Sequence, residues 1–341
     1  MKMSDNINFE KIVKIEKRKK MWKTIAIACA ATLVVGGGGA YATHQFVGHK
    51  MQKEAEKQQR QFNIEDLIYS PNMISTSQYF SVTRATQSTL KSDREKNIDG
   101  YRVSYPEKSI SFNMNGIESA SSQTPNVVSK NGSSKEVIAT NRQSQQKEPL
   151  FFNVKYAHAY QSAKDQKSML APSKPTHEAK TLDHLSNSLS EVAITFDKRY
   201  SYDDIRQMMP DNVMINYYWL GIKSDKLDAT HAPYIGLNAS EDGTGKLTEG
   251  TGIKAGQNEF FGYQGLKQAL KDQSGRQVID NIDIAKDGQK LIAKNLKSAT
   301  FAGVIVTGRT QNLAKLDSQH YTFATNVGVT TPIMPYQEPI K

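Results

Sequence analysis

The sequence predicts an α+β chain in three parts: a single N-terminal transmembrane helix, a β-rich first external region, and a C-terminal sheet-and-helix domain of order β-α-β, then α-β-α-β. The ferredoxin-like arrangement is one form such a domain takes. Three observations lead there. Residues 24–43 form a run of 20 residues without a charge. Alternating strand-like pieces recur over residues 72–112. From residue 189 onward, buried-strand and short-helix patterns take turns.

The apolar run reads TIAIACAATLVVGGGGAYAT. At about 1.5 Å of rise per residue it covers about 30 Å, the thickness of a bilayer's hydrocarbon core. Trp22 and Tyr41 stand at its two ends, where amphipathic aromatics favour the interface. Residues 1–23 hold eight Lys/Arg against three acids, half of the chain's net charge of +10. Lys50, Lys53, Lys57 and Arg60 beyond the run are diluted by Glu54 and Glu56. The basic excess therefore puts the N-terminus in the cytoplasm and the bulk outside the cell membrane. A second reading stays open, because Ala40-Tyr41-Ala42 has the form of a signal-peptidase site and cleavage after Ala42 would release the rest. Within the tail, Phe9, Ile12 and Val13 recur at helical spacing and Lys17, Arg18, Lys19 and Lys20 form a basic cluster. Such a segment either rests on anionic lipid or docks on a cytoplasmic partner.

Residues 51–62 (MQKEAEKQQRQF) are polar and helix-prone, as a stalk is. QYFSV at 78–82 and YRVSY at 101–105 read as strands, with Asp99-Gly100 as a turn before the second. Residues 117–148 are rich in Ser, Gln, Asn and Lys and read as a mobile loop. Leu150-Phe151-Phe152-Asn153-Val154 reads as a strand, and 161–185, with Pro172 and Pro175, as a linker. The C-terminal domain then has strands at 192–196, 213–222, 301–307 and 322–329. Ser201-Tyr202-Asp203-Asp204 has capping-box form and starts a helix that Pro210 stops. Helical pieces follow around 263–271, 287–296 and 309–316, after a glycine-rich insertion. The expected division is 1–23 inner tail, 24–43 span, 44–160 first external domain, 161–188 linker, 189–331 second external domain and 332–341 tail.

No catalytic, cofactor or metal constellation stands out, and no enzyme activity is expected. The single Cys29 lies in the apolar run, which excludes an intrachain disulfide framework. The seven histidines lack metal-ligand spacing. Asp183-His184 beside Ser186 and Ser188 sits at a linker and reads as solvated. DGTGK at 242–246 lacks the spacing of a phosphate loop and reads as a flexible turn. Tyr217, Tyr218 and Trp219 alternate across one strand, which puts some in the core and some outside. Without a dense basic face on a folded domain, direct nucleic-acid binding is excluded.

One resemblance is specific. SPNMISTSQ at 70–78, after a basic segment and one span, resembles the sigma-factor-regulator N-terminal domain. EVAITFDKRYSYDDIRQMMPDNVMINYYWLGI at 191–222 resembles the start of the sigma-factor-regulator C-terminal domain, as do Phe260-Phe261-Gly262-Tyr263 and GVIVTG at 303–308. The resemblance implies a membrane-bound anti-sigma factor of a Gram-positive bacterium, or its accessory subunit. Its partner would be an extracytoplasmic-function sigma factor, met directly or through a second membrane protein, and homo- or hetero-oligomers stay open. Phe9, Ile12, Val13, Lys17, Arg18, Lys19 and Lys20 would make the inner contact. The rival reading is an envelope-binding or assembly protein without a signalling role.

Overall fold

A computed structural model describes residues 6–84, 86–121, 126–130, 133–155, 174–224, 234–250, 262–279 and 281–341, with the side chains of 6–15, 18, 26–43, 82–83, 126–130 and 133–136 outside the description. One helix, α1 (Asn6–Tyr69), runs through 64 residues, about 96 Å at the α-helical rise. Among the described residues no helix is long and apolar enough to cross a membrane. The side chains of the expected span lie outside the description from residue 26 to residue 43.

A first antiparallel sheet follows, ordered β1 (Met73–Arg84), β2 (Gln87–Ile98), β3 (Tyr101–Asn113) and β4 (Gly116–Ala120). Asp99 and Gly100 join β2 to β3 with φ of 54° and 92°, the left-handed pair that a tight hairpin turn requires, as the Asp-Gly signal predicts. The sheet's inner face carries Leu90, Ile110 and Phe112, which close on Phe62 of α1 with Met51 and Ala55 packed alongside. Residues 51–62 are therefore part of a core and not a free stalk. The expected loop at 117–148 is corrected too: its described residues include β4, then β5 (Asn126–Lys130), β6 (Ser133–Thr140) and β7 (Lys147–Glu148) in a small sheet. Polar composition misled here because Ser and Thr pair well in a half-solvated ladder.

The C-terminal part centres on a five-stranded antiparallel sheet of order β10-β9-β13-β8-β14. Its strands are β8 (Ser188–Ser201), β9 (Met214–Trp219), β10 (Gly236–Asn238), β13 (Thr300–Arg309) and β14 (Thr322–Pro332). The four long strands thus lie in the order fourth, first, third, second of their appearance, that of a split β-α-β pair. Helix α2 (Tyr202–Met208) connects β8 to β9, and α5 (Thr310–Ala314) connects β13 to β14. The Ser201 hydroxyl caps α2 by accepting from the Asp204 amide at 3.1 Å, as the sequence motif predicts. Between β10 and β13 come α3 (Tyr263–Asp272), a small hairpin of β11 (Val278–Ile279) and β12 (Ile282–Asp283), and α4 (Ile284–Gln289). One sheet face, with Val192, Ile194, Phe196, Tyr218, Val304 and Val306, is buried against these helices.

The opposite face is buried as well. Phe151 stacks on Trp219 at 4.4 Å between ring centres and 8° between planes, and Tyr217, Ala193 and Ile305 complete that cluster. Tyr217, Tyr218 and Trp219 are all buried, so this strand offers no external aromatic. Residues 150–154, expected as a strand, pair in no ladder, and the buried residues 150–153 serve as a cover strip instead. Gly303 makes room for it, since a Cβ there would lie 2.9 Å from the Phe151 ring. The described half of the expected linker is also packed: Ala179 and Leu182 of a 3-10 turn (Ala179–His184) are buried, and His177 bridges to Thr325. Residues 161–173 of that linker and Phe260-Phe261 of the glycine-rich insertion lie outside the described residues.

Candidate functional site

The residues expected to make the inner contact all lie on α1. Lys17, Lys19 and Lys20 are exposed, while the side chains of Phe9, Ile12, Val13 and Arg18 lie outside the description. Their own helix carries the chain to a second place, where its far end meets both sheets. From Lys20 to Phe62 the helix rises about 63 Å. The site that the fold builds is this junction.

At the junction the last turns of α1 bury Phe62, Leu67 and Ile68. Lys108 of β3 is also buried, with its ammonium 3.1 Å from Asp66 and 4.0 Å from the centre of the Phe62 ring. The Arg94 guanidinium of β2 donates to the Ser70 hydroxyl at 2.7 Å and lies 3.5 Å from Asp66. On the other flank, Gln61 donates to Gln273 at 3.0 Å and Arg60 pairs with Asp272 of α3 at 2.8 Å. The helix end is thereby held by the first sheet on one side and by the C-terminal helices on the other.

The turn after α1 is stapled to the C-terminal sheet by asparagines. Asn72, at φ 51°, donates its backbone amide to Asn238 at 2.7 Å and its side-chain amide to Glu191 at 2.9 Å. Asn216 donates to Asn72 at 3.0 Å and to the Asn97 carbonyl at 2.9 Å, and accepts from Thr307 at 2.8 Å. A register shift in β9 explains its reach: Ile305 pairs with Tyr217 and Val306 with Ile215, so Asn216 is the extra residue of a bulge. Bulges re-aim a side chain in this way.

Beneath these staples lies a charged centre. Lys96 of β2 is fully buried, with Nζ 2.8 Å from Glu191 of β8 and 3.1 Å from Glu148 of β7. Tyr105 donates its hydroxyl to Glu148, and the Asn141 amide donates to Tyr105 at 3.0 Å. The Val329 amide donates to Glu191 at 3.4 Å. Burial pulls the Lys96 ammonium down, but the two carboxylates outweigh it and hold its pKa above the ordinary lysine value. Burial, then the Glu148 charge, raises the Tyr105 phenol, which stays a protonated donor. Three parts of the chain therefore meet on one ammonium.

This centre was missed at sequence level. Lys96 sits in SDREKNID, a polar run with no local sign of burial. Glu191 carried the one usable signal, an acid inside an otherwise apolar strand run. Asp183 and His184 are exposed, and Asp242 accepts from the Thr244 amide at 2.9 Å as a turn-closing group. Among the described residues no group of three or more His, Cys, Asp or Glu is placed to hold a metal.

Fold and junction together define a class: a long-helix protein whose α+β body grips the end of that helix through buried polar staples. Comparison with known families is more specific. The model for the sigma factor regulator N-terminal domain matches residues 10–103, and that for the sigma factor regulator C-terminal domain matches residues 182–329. The chain belongs to the sigma factor regulator family, and its role is that of an anti-sigma factor regulator. No curated protein and no solved structure gave a significant match.

Proposed function

We propose that the chain is a single-pass membrane protein that restrains an extracytoplasmic-function sigma factor of a Gram-positive bacterium and answers to the state of the envelope. The observation that carries the reading is the unbroken course of α1 from the tail to the junction. Its uncharged stretch at 24–43 is long enough to span a bilayer, and the basic excess on its N-terminal side favours a cytoplasmic tail. Both sheets then lie outside, and a change there alters the height or rotation of the helix that bears Phe9, Ile12, Val13 and the Lys17, Arg18, Lys19, Lys20 cluster.

Residues 1–23 by themselves bury a few hundred Å² at most, below the roughly 1,000 Å² of a stable interface. A second membrane protein that shares the grip on the sigma factor therefore fits better than a solitary inhibitor. The chain acts without catalysis in this reading.

Removal of residues 2–16, with the basic cluster and span left intact, tests it. The cognate sigma-dependent promoter should become active without an envelope signal, read with a transcriptional reporter. Unchanged promoter output in cells that hold normal amounts of the truncated protein sinks the reading.

A further inference from the structure

Residues 333–341 leave β14 and cross to the first sheet, where the β2–β3 turn holds them. Met334 donates its amide to the Tyr101 hydroxyl at 3.1 Å, and that hydroxyl donates to the Gln337 carbonyl. The Ile340 amide donates to the Asp99 carbonyl at 3.1 Å, and the Lys341 amide to Asp99 Oδ1 at 3.0 Å. The Ile340 side chain lies over Gly100 and Gly243, where a Cβ would collide with it. The segment thus closes the seam in which Ile98 and Tyr101 pack on Leu189 and Val329.

We propose that residues 333–341 are a strap poised to open: it stays docked while the Asp99 carboxyl beneath it is uncharged and loosens when that carboxyl ionises. Asp99 has no exposed surface, and its Oδ2 has no hydrogen-bond partner among the described residues. A buried carboxylate oxygen without a donor is costly, and a protonated one far less so. The Asp99 amide donates to the Thr307 hydroxyl at 3.0 Å, which fixes the turn against β13. The charged groups that face Asp99 are Arg309, from the end of β13, and Lys341 of the strap itself, while Arg309 also lies 3.9 Å from Glu338 of the strap.

Burial pushes the Asp99 carboxyl up to about 6, although the Lys341 amide and the Arg309 and Lys341 charges pull the other way. Opening the strap rehydrates the group and returns it toward the ordinary 3.8. The docked state therefore binds the proton more tightly. Docking is strongest in acid, weakens as pH rises above the ordinary value, and stops weakening once pH passes the docked value. Between about pH 4.5 and about pH 7.5 the docking equilibrium falls by about twenty-five-fold.

Amide hydrogen exchange on the full chain in detergent micelles tests this, with each rate referenced to an unstructured peptide of the same sequence. Protection of Ile340 and Lys341 should fall by about twenty-five-fold across that pH range while β13 amides hold theirs. Asp99→Asn keeps an acceptor for the Lys341 amide and should flatten the pH dependence. Tyr101→Phe should lower protection of 334–341 at both pH values and leave their ratio unchanged. The proposal is overturned if wild-type protection is independent of pH, if β13 loses protection by the same factor, or if Asp99→Asn keeps the fall. Should Asp99→Asn fail to fold, wild type and Tyr101→Phe still decide, since unaltered strap protection in Tyr101→Phe also overturns the proposal.

Discussion

Among the described residues Lys96 is the most deeply buried cation in an ion pair, and burial changes what a charge is worth. Its ammonium has lost its water and meets Glu148 and Glu191, which are buried as deeply. Lys96→Met removes the cation and leaves two carboxylates facing each other in a dry site. Breaking such a centre costs about 3–5 kcal/mol. Urea unfolding of the full chain in micelles should show that loss as a lower midpoint, and an unchanged midpoint would mean water reaches the site. Lys57, which pairs with Glu54 at 3.1 Å on the surface of α1, is the contrast, and Lys57→Met should leave the midpoint where it was. The two lysines look alike in the sequence, each in a polar run. What separates them is which long-range strand lands on top, and no local pattern encodes that. Phe151 shows the same limit for an apolar residue. LFFNV reads as a strand, yet these rings cap a sheet face without joining a ladder. Phe151→Ala should cost about 3–5 kcal/mol, a deletion from a well-packed core. Trp219, which stacks on it, should then emit at longer wavelength, best seen in a Trp22→Phe background because Trp22 is the other tryptophan.

At the scale of elements, local signals did well where one residue's conformation decides the outcome. The Ser201 cap, the Asp99-Gly100 turn and the four long C-terminal strands were legible from spacing alone. Strands at 116–148 were not, since Ser-rich polar ladders share their composition with loops. Helix α1 was legible in pieces but not as one object. Its basic N-terminal segment, its uncharged run at 24–43 and its polar segment at 51–62 have three different chemistries, and only the backbone joins them. If the helix transmits rotation, its phase matters. Two alanines inserted at Gly48 turn the tail by about 200° relative to the junction, whereas seven turn it by about two full turns with little net rotation. The promoter reporter should show deregulation with two and near-normal control with seven. Equal behaviour of both insertions would point to displacement along the axis, or to a tail that acts independently of helix phase.

For the whole molecule, the two family stretches end at places the structure does not respect. Residue 103 lies inside β3, and neither 10–103 nor 182–329 contains Glu148 or Phe151. Those two residues complete the charged centre and the aromatic cover of the C-terminal sheet. The stretches expected as two domains, 44–160 and 189–331, are tied by shared contacts: Lys96 reaches β8, Asn72 reaches Glu191, Ile98 packs on Leu189, and the C-terminal strap returns to Asp99. A body whose parts share buried charges unfolds in one step, because exposing either half strands the other's polar groups. Two consequences can be measured. In the full chain, Trp219 fluorescence and amide exchange at β3 and β13 should report a single urea midpoint. Residues 182–329 alone should bind a hydrophobic dye and exchange rapidly, since Ala193, Tyr217, Trp219 and Ile305 then lack the Phe151 cover. Two separate midpoints, together with a slow-exchanging 182–329 fragment, would show that the halves are autonomous. In that case strain in one half could not reach the other through the junction, and α1 would answer only to its own contacts with α3 and β10.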